Sequence, residues 1–162
     1  PKKEWATDGA KGRKPNIINS LALEPEDLEN HNLKLKAKYD KMKEEEVRYE
    51  EIQTEDADTI IVAYGTTARI ASSAIELARK KGHKVGLIRP ITLFPFPTEA
   101  ISKAAEKADN FLAVEMSTGQ MVEDVRLAVN GKKPVHFYGR TGGVVPSPED
   151  IVKEIEKIGG ER

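Results

Sequence analysis

Apolar positions are distributed in two different ways along this chain. Up to about residue 57 they are sparse. From Asp58 onward, short apolar runs alternate with helical stripes. Residues 59–64, Thr-Ile-Ile-Val-Ala-Tyr, form an unbroken, largely β-branched run, which predicts a strand buried on both faces. Gly65 ends that run. Ile70, Ala71, Ala74, Ile75 and Ala78 then share one helical face. Arg79-Lys80-Lys81 suits the negative end of that helix, and Gly82 terminates it.

The alternation then repeats. Strands are predicted at 84–89, 110–116 and 134–138. Helices are predicted at 66–81, 97–108, 119–130 and 148–158. Their apolar faces carry Ile101, Ala104, Ala105 and Ala108, then Met121, Val122, Val125 and Val129, then Ile151, Val152, Ile155 and Ile158. Ser117 and Gln120 stand at the spacing of a capping box, and Ser147-Pro148-Glu149-Asp150 is a second capped start. Strands joined by short loops to helices imply right-handed crossovers and a parallel sheet covered on both faces. The fold class is therefore α/β, a three-layer sandwich with a mostly parallel sheet of 4–5 strands. A fifth strand, antiparallel at an edge, is expected from Val144-Val145 or from the segment before Asp58.

Residues 1 to about 24 follow neither period and are punctuated by Gly9, Gly12, Pro15, Asn16 and Asn19. Lys11-Gly12-Arg13-Lys14 is a small basic cluster within them. A long polar helix is expected over 25–50. Pro25 suits a first helical position, with Glu26 and Asp27 behind it. Its apolar stripe is narrow, Leu28, Leu35, Tyr39 and Met42, as in a solvated connecting helix or an arm that packs on another domain or subunit. The expected division is 1–57 for the irregular segment and linker helix, and 58–160 for the α/β domain. The chain opens on Pro1 and reads as a segment of a longer polypeptide.

Composition narrows the function classes. Of 162 residues, 26 are basic and 27 acidic, giving a net charge of -1. That balance provides no footprint for nucleic acid or an anionic membrane. No apolar run reaches the ~18 residues of a membrane span, and a cytoplasmic location is expected. The cysteine count is 0, so this chain supplies no disulfide and no thiolate for zinc or iron–sulfur sites.

Ligands of open α/β sheets sit beyond the carboxyl ends of the strands. Here those ends carry Gly65, Thr66 and Thr67, then Arg89, then Gly119, and last Arg140, Thr141 and Gly142. Backbone N–H groups at such turns can hold a phosphate or carboxylate, with Arg69, Arg89 and Arg140 adding charge. The same residues are also ordinary turn chemistry. None of the loops carries the dinucleotide glycine signature or a phosphate loop. His31, His83 and His136 are scattered, so no metal site is expected. Glu115, alone at the end of a buried strand, is expected to pair with a strand-end arginine.

Four stretches together resemble a known family: 62–69 (Val-Ala-Tyr-Gly-Thr-Thr-Ala-Arg), 85–97 (with Arg-Pro-Ile-Thr-Leu-Phe-Pro-Phe-Pro), Glu115-Met116 with Gly119-Gln120-Met121, and 138–143 (Tyr-Gly-Arg-Thr-Gly-Gly). The chain is similar to the C-terminal part of the alpha subunit of 2-oxoacid:ferredoxin oxidoreductases, most of all the branched-chain type, with the 2-oxoglutarate type next. The stretch from Glu4-Trp5 to Arg13 and residues 48–51 add to the likeness. The resemblance implies a transketolase C-terminal-like domain within an enzyme that oxidatively decarboxylates a 2-oxoacid to an acyl-CoA and reduces ferredoxin. It implies thiamine diphosphate, magnesium and iron–sulfur clusters in the full enzyme, none of them bound by this fragment alone. The implied partners are a thiamine-diphosphate-binding beta subunit, a gamma subunit and a ferredoxin-like delta subunit, in a homo- or hetero-oligomer. No catalytic or metal-ligating residue is carried over. The eight strand-end residues, Gly65, Thr66, Thr67, Arg89, Gly119, Arg140, Thr141 and Gly142, are candidates for lining the approach of substrate or coenzyme A. Two other readings of the residues stay open: a stand-alone anion- or nucleotide-binding module, and a purely dimerising domain.

Overall fold

A computed structural model describes residues 9, 11–15, 17 and 21–160. The irregular stretch expected over 1–24 lies partly outside the described residues, and Glu4-Trp5 wholly so. The chain divides into two compact units, Pro1–Asp40 and Lys41–Arg162. Helix α1, Pro25–Glu45, carries no buried residue, in keeping with its Lys- and Glu-rich surface. It ends short of the expected residue 50. Three consecutive glutamates, 44–46, crowd the negative end of the helix, where acidic side chains are unfavourable. The chain just beyond is also needed elsewhere: after a three-residue link, Tyr49–Ile52 is strand β1.

The remaining elements of the second unit are β2 (Thr59–Val62), α2 (Gly65–Lys80), β3 (Val85–Pro90), α3 (Thr98–Ala104), β4 (Asn110–Glu115), α4 (Met121–Val129), β5 (Val135–Gly139) and α5 (Pro148–Gly160). The sheet order is β1-β3-β2-β4-β5. β3, β2, β4 and β5 are parallel, and β1 runs antiparallel along β3, Tyr49 opposite Pro90 and Ile52 opposite Leu87. The fifth strand thus comes from the segment before Asp58. Val144 and Val145 form no strand and are exposed.

Alternating side chains of the buried strands supply two cores. Ile61, Leu87, Leu112 and Val114 pack with the apolar faces of α2 and α5. Ile60, Val62, Ile88, Phe111 and Ala113 pack with α3 and α4. β2 is buried at all four positions, whereas β5, at the edge, is half-buried throughout. The result is three layers, helix–sheet–helix.

Two local devices fix the entry to this sheet. Arg79, at the end of α2, donates from Nε to the Val85 carbonyl (2.8 Å) and from its terminal nitrogens to the Gln53 carbonyl (2.8 Å) and both oxygens of Asp56 (2.7 and 3.1 Å). The Arg79 hydrogen bond holds the Asp56 carboxyl below its ordinary range. Asp56 is therefore a clamp partner of the last turn of α2. At the other end of β1, the amides of Ile91 and Thr92 donate to the Arg48 carbonyl (2.9 and 3.1 Å) and Thr92 Oγ1 donates to the Pro95 carbonyl (2.8 Å). These bonds shape the Arg-Pro-Ile-Thr-Leu-Phe-Pro-Phe-Pro segment singled out in the sequence.

Candidate functional site

β2 is the first parallel strand in the chain. β3 adds on one side of it by way of α2, and β4 then adds on the other side by way of α3 on the opposite face. The direction of winding reverses between β2 and β4, and the crevice beyond their carboxyl ends is where such sheets take ligands. Val62 lies opposite Ala113, so the turn at Gly65 and the turn at Met116 leave the sheet side by side. The loop after β5 adjoins the second of these, since Glu115 is opposite Gly139 and the Arg140 amide donates to the Glu115 carbonyl (3.0 Å).

The turn after β4 is organised by Glu115, which is 1% exposed. Its carboxylate accepts hydrogen bonds from Ser117 Oγ (3.1 Å) and from the backbone amides of Gln120 (3.2 Å), Met121 (3.0 Å) and Val122 (2.9 Å). This corrects two expectations. Glu115 makes no ion pair with Arg69, Arg89 or Arg140, because helix amides already occupy both its oxygens. Ser117 and Gln120 do not form a capping box either. Ser117 Oγ accepts from the Gly119 amide (3.1 Å), and the side chain of Gln120 makes no cap. Without a side-chain oxygen at the N-cap, the first amides of α4 turn to the buried carboxylate at the end of the preceding strand. The sequence signal was present: an acidic residue ends an apolar strand a few positions before a helix whose own cap is weak.

The eight candidates do not stand alike. Thr67 is buried and donates to the Tyr64 carbonyl (2.7 Å), completing the first turn of α2. Arg89 reaches away from the crevice to Glu50 of β1 (2.9 Å), with its Nε buried and unpaired. Gly119, at φ +108, sits against Val122 and Phe137, where a Cβ would come within 3.2 Å of the Val122 side chain. Gly65, Thr66, Thr141 and Gly142 are exposed, and Arg140 is half-buried. The start of α2 has no side-chain cap. The turns at 65–66 and 140–142 are thus the open ones, whereas the turn at 116–120 is satisfied from within.

The cofactors implied by the resemblance meet a poor donor set here. The chain has no cysteine, and the described residues include no cluster of His, Asp and Glu able to hold a metal ion. The buried carboxylate at the crevice is committed to its own helix. These side chains fit neither an iron–sulfur cluster nor a carboxylate partner for a thiamine ring, and no chemical step through those groups is derived from this chain. Among the described residues, no helix is long and apolar enough to cross a membrane.

Comparison with known proteins agrees with the geometry. Residues 57–151 match the model of the pyruvate:ferredoxin oxidoreductase core domain II. The chain is 45% identical over 161 residues to the ketoisovalerate oxidoreductase subunit VorB of Methanothermobacter marburgensis, an alignment that covers 99% of this chain and 46% of that protein. It is 35% identical over 102 residues to the 2-oxoglutarate synthase subunit KorA of the same organism, covering 63% of this chain and 27% of that protein. The chain therefore spans about half the length of the ketoisovalerate oxidoreductase subunits it matches. Among solved structures, a 2-oxoglutarate:ferredoxin oxidoreductase from Magnetococcus marinus, with 2-oxoglutarate, coenzyme A and succinyl-CoA bound, superposes with TM-score 0.75 at 22% identity, over 94% of this chain and 28% of that one. A split-gene transketolase, an inactive beta4 tetramer, superposes with TM-score 0.58 at 19% identity, over 68% of this chain and 40% of that one. These two likenesses carry the fold, which is the transketolase-like domain expected. With its strand order, its switch-point crevice and the matched residues taken together, this chain belongs to the pyruvate:ferredoxin oxidoreductase core domain II family.

Proposed function

We propose that this chain is the C-terminal part of the alpha subunit of a 2-oxoacid:ferredoxin oxidoreductase acting on branched-chain 2-oxoacids. The observation that carries the proposal is the 45% identity to a ketoisovalerate oxidoreductase subunit across 99% of the chain. In this reading the assembled enzyme uses thiamine diphosphate, coenzyme A and iron–sulfur clusters supplied by other domains and subunits, and works in the cytoplasm. This domain packs the assembly together, and its open strand-end turns at Gly65, Thr66 and Arg140 to Gly142 line the approach of substrate or coenzyme A. Exposed apolar side chains support an assembled state: Leu93, Phe94 and Leu127 are 48%, 56% and 75% exposed and line one groove with Tyr49 and Phe96. Grouped apolar exposure of this kind marks protein contact. Neither a stand-alone anion-binding module nor a purely dimerising domain is favoured by a specific observation.

The test has two arms. The 162-residue chain alone, supplied with 3-methyl-2-oxobutanoate, thiamine diphosphate, coenzyme A and an electron acceptor, is expected to show no turnover. Joined to the rest of its subunit and to the partner subunits, it is expected to reduce the acceptor with a preference for branched-chain 2-oxoacids. Turnover by the chain alone would overturn the reading of it as a non-catalytic part. An assembled enzyme inactive on every 2-oxoacid would overturn the activity.

A further inference from the structure

We infer that Glu115 is a resident anion: it fills the anion hole at the start of α4, closes that turn to acidic ligands, and positions Met116 and Thr118 at the switch point. The inference goes beyond the proposed activity and does not depend on which 2-oxoacid the enzyme takes. Three consecutive backbone amides and one hydroxyl converge on the two carboxylate oxygens at 2.9–3.2 Å. This is the donor array that helix N-termini offer to phosphate and carboxylate ligands, with the helix dipole adding positive potential. Here the anion is covalently part of the preceding strand and is 1% exposed.

Two consequences follow from that placement. First, a phosphate or carboxylate approaching the crevice finds no free amide at 120–122, so Gly119 leaves the set of ligand-binding candidates and the turns at 65–66 and 140–142 remain. Second, the turn is tied at both ends. The Glu115 side chain holds the amides of 120–122, its carbonyl accepts from Arg140, and the Ser117 carbonyl lies so close to Gly139 that a Cβ there would sit at 2.4 Å. Met116 and Thr118, both exposed, are thereby presented from a fixed turn. Glu115 is a positioning residue, acting through this turn.

The inference is tested on the 162-residue chain by amide NMR. In the wild type, the resonances of Gln120, Met121 and Val122 are expected to stay put on titration with inorganic phosphate, formate or coenzyme A. A saturable shift of these amides would overturn the inference. Glu115→Ala empties the hole. Formate is then expected to produce a saturable shift of the same three amides and to raise the melting temperature, and sodium chloride at equal ionic strength is expected to do neither. A folded Glu115→Ala chain indifferent to formate would overturn the inference. Should that variant be unfolded, Glu115→Gln keeps the volume and one acceptor but turns an NH2 toward the helix amides. Faster hydrogen exchange confined to 120–122 is expected in it, and unchanged exchange there would overturn the inference.

Discussion

Replacing Gly86 by alanine tests whether the β1–β2 turn is seated on the bare backbone of β3. Gly86 is buried near the start of β3, opposite Ile60 of β2. A Cβ at this position would lie 2.6 Å from the Gln53 carbonyl oxygen, 2.8 Å from Thr54 Cα and 3.0 Å from the Gln53 carbonyl carbon. All three are backbone atoms, so no side-chain rotation relieves the clash. The turn has to retreat until the oxygen contact opens from 2.6 Å to the 3.4 Å of ordinary van der Waals contact. The turn is not free to do so. Gln53 is held at φ +53 and its carbonyl accepts from Arg79 at 2.8 Å.

Overpacking of this kind costs about 1–3 kcal/mol. The displaced Arg79–Gln53 hydrogen bond adds about 1 kcal/mol. Against this, alanine restricts the unfolded chain and returns roughly 0.4–1 kcal/mol. The net expectation is a loss of about 2 kcal/mol, read from urea unfolding as a lower midpoint at unchanged slope. Because the clash and the Arg79 clamp share one carbonyl, Gly86→Ala and Arg79→Ala should cost less together than the sum of the singles. The expected coupling is at least about 0.5 kcal/mol. A Gly86→Ala chain within about 0.5 kcal/mol of wild type, the range of an unremarkable surface change, would refute the argument. So would strict additivity with Arg79→Ala.

Ser147→Ala should weaken the start of α5. Ser147 Oγ accepts from the Asp150 amide at 3.1 Å while the Asp150 carboxylate accepts from the Ser147 amide at 3.3 Å. Loss of such a cap costs about 0.5–2 kcal/mol, visible as a lower melting temperature, and an unchanged one would discount the cap. The Arg79–Asp56 clamp should give a pH signature. The Asp56 carboxyl titrates lower folded than unfolded because Arg79 donates to it and sits beside it as a positive charge. The clamp's stabilisation is therefore fully present above the unfolded value of 3.8 and disappears as pH falls through the lower folded value. Wild type should exceed Asp56→Asn in stability near neutrality and converge with it in acid. A difference that persists unchanged below pH ~3, under the ordinary carboxylate range, would show that the carboxylate's charge is not the cause.

The parts of this molecule that could be read from sequence share a physical trait: their signal is repeated along the chain. Ile60, Ile61 and Val62 announce a two-sided burial that four structural positions then confirm, and the stripes of α2, α4 and α5 each repeat an apolar residue at helical spacing. β1 was harder. Tyr-Glu-Glu-Ile is exposed at three of four positions, so its strand character comes from pairing with β3 and not from its own composition. Arg79 and Asp56 are 23 residues apart, and no periodicity links them. The end of α1 follows the same logic, since Tyr49 and Glu50, expected in the helix, pair instead with the edge of β3.

The site shows where local reading stops. Four helices begin at the carboxyl edge of the sheet, and three of them, α2, α4 and α5, have their free amides finished differently. α5 uses the Ser147–Asp150 exchange between neighbours, which spacing alone reveals. α4 uses Glu115, a residue of the strand, and the choice becomes visible only when the strand end and helix start are placed together. α2 has no side-chain cap, its first turn being closed by Thr67 Oγ1 and the Ala68 amide on the Tyr64 carbonyl. Glycine and hydroxyl residues occur at all three starts, so their presence does not separate a self-satisfied turn from an open one. What separates them is whether the chain brings its own acceptor to the amides. By that criterion the 116–120 turn is a fixed platform, whereas the start of α2 is uncapped and Thr141 and Gly142 stand exposed beside no such acceptor among the described residues.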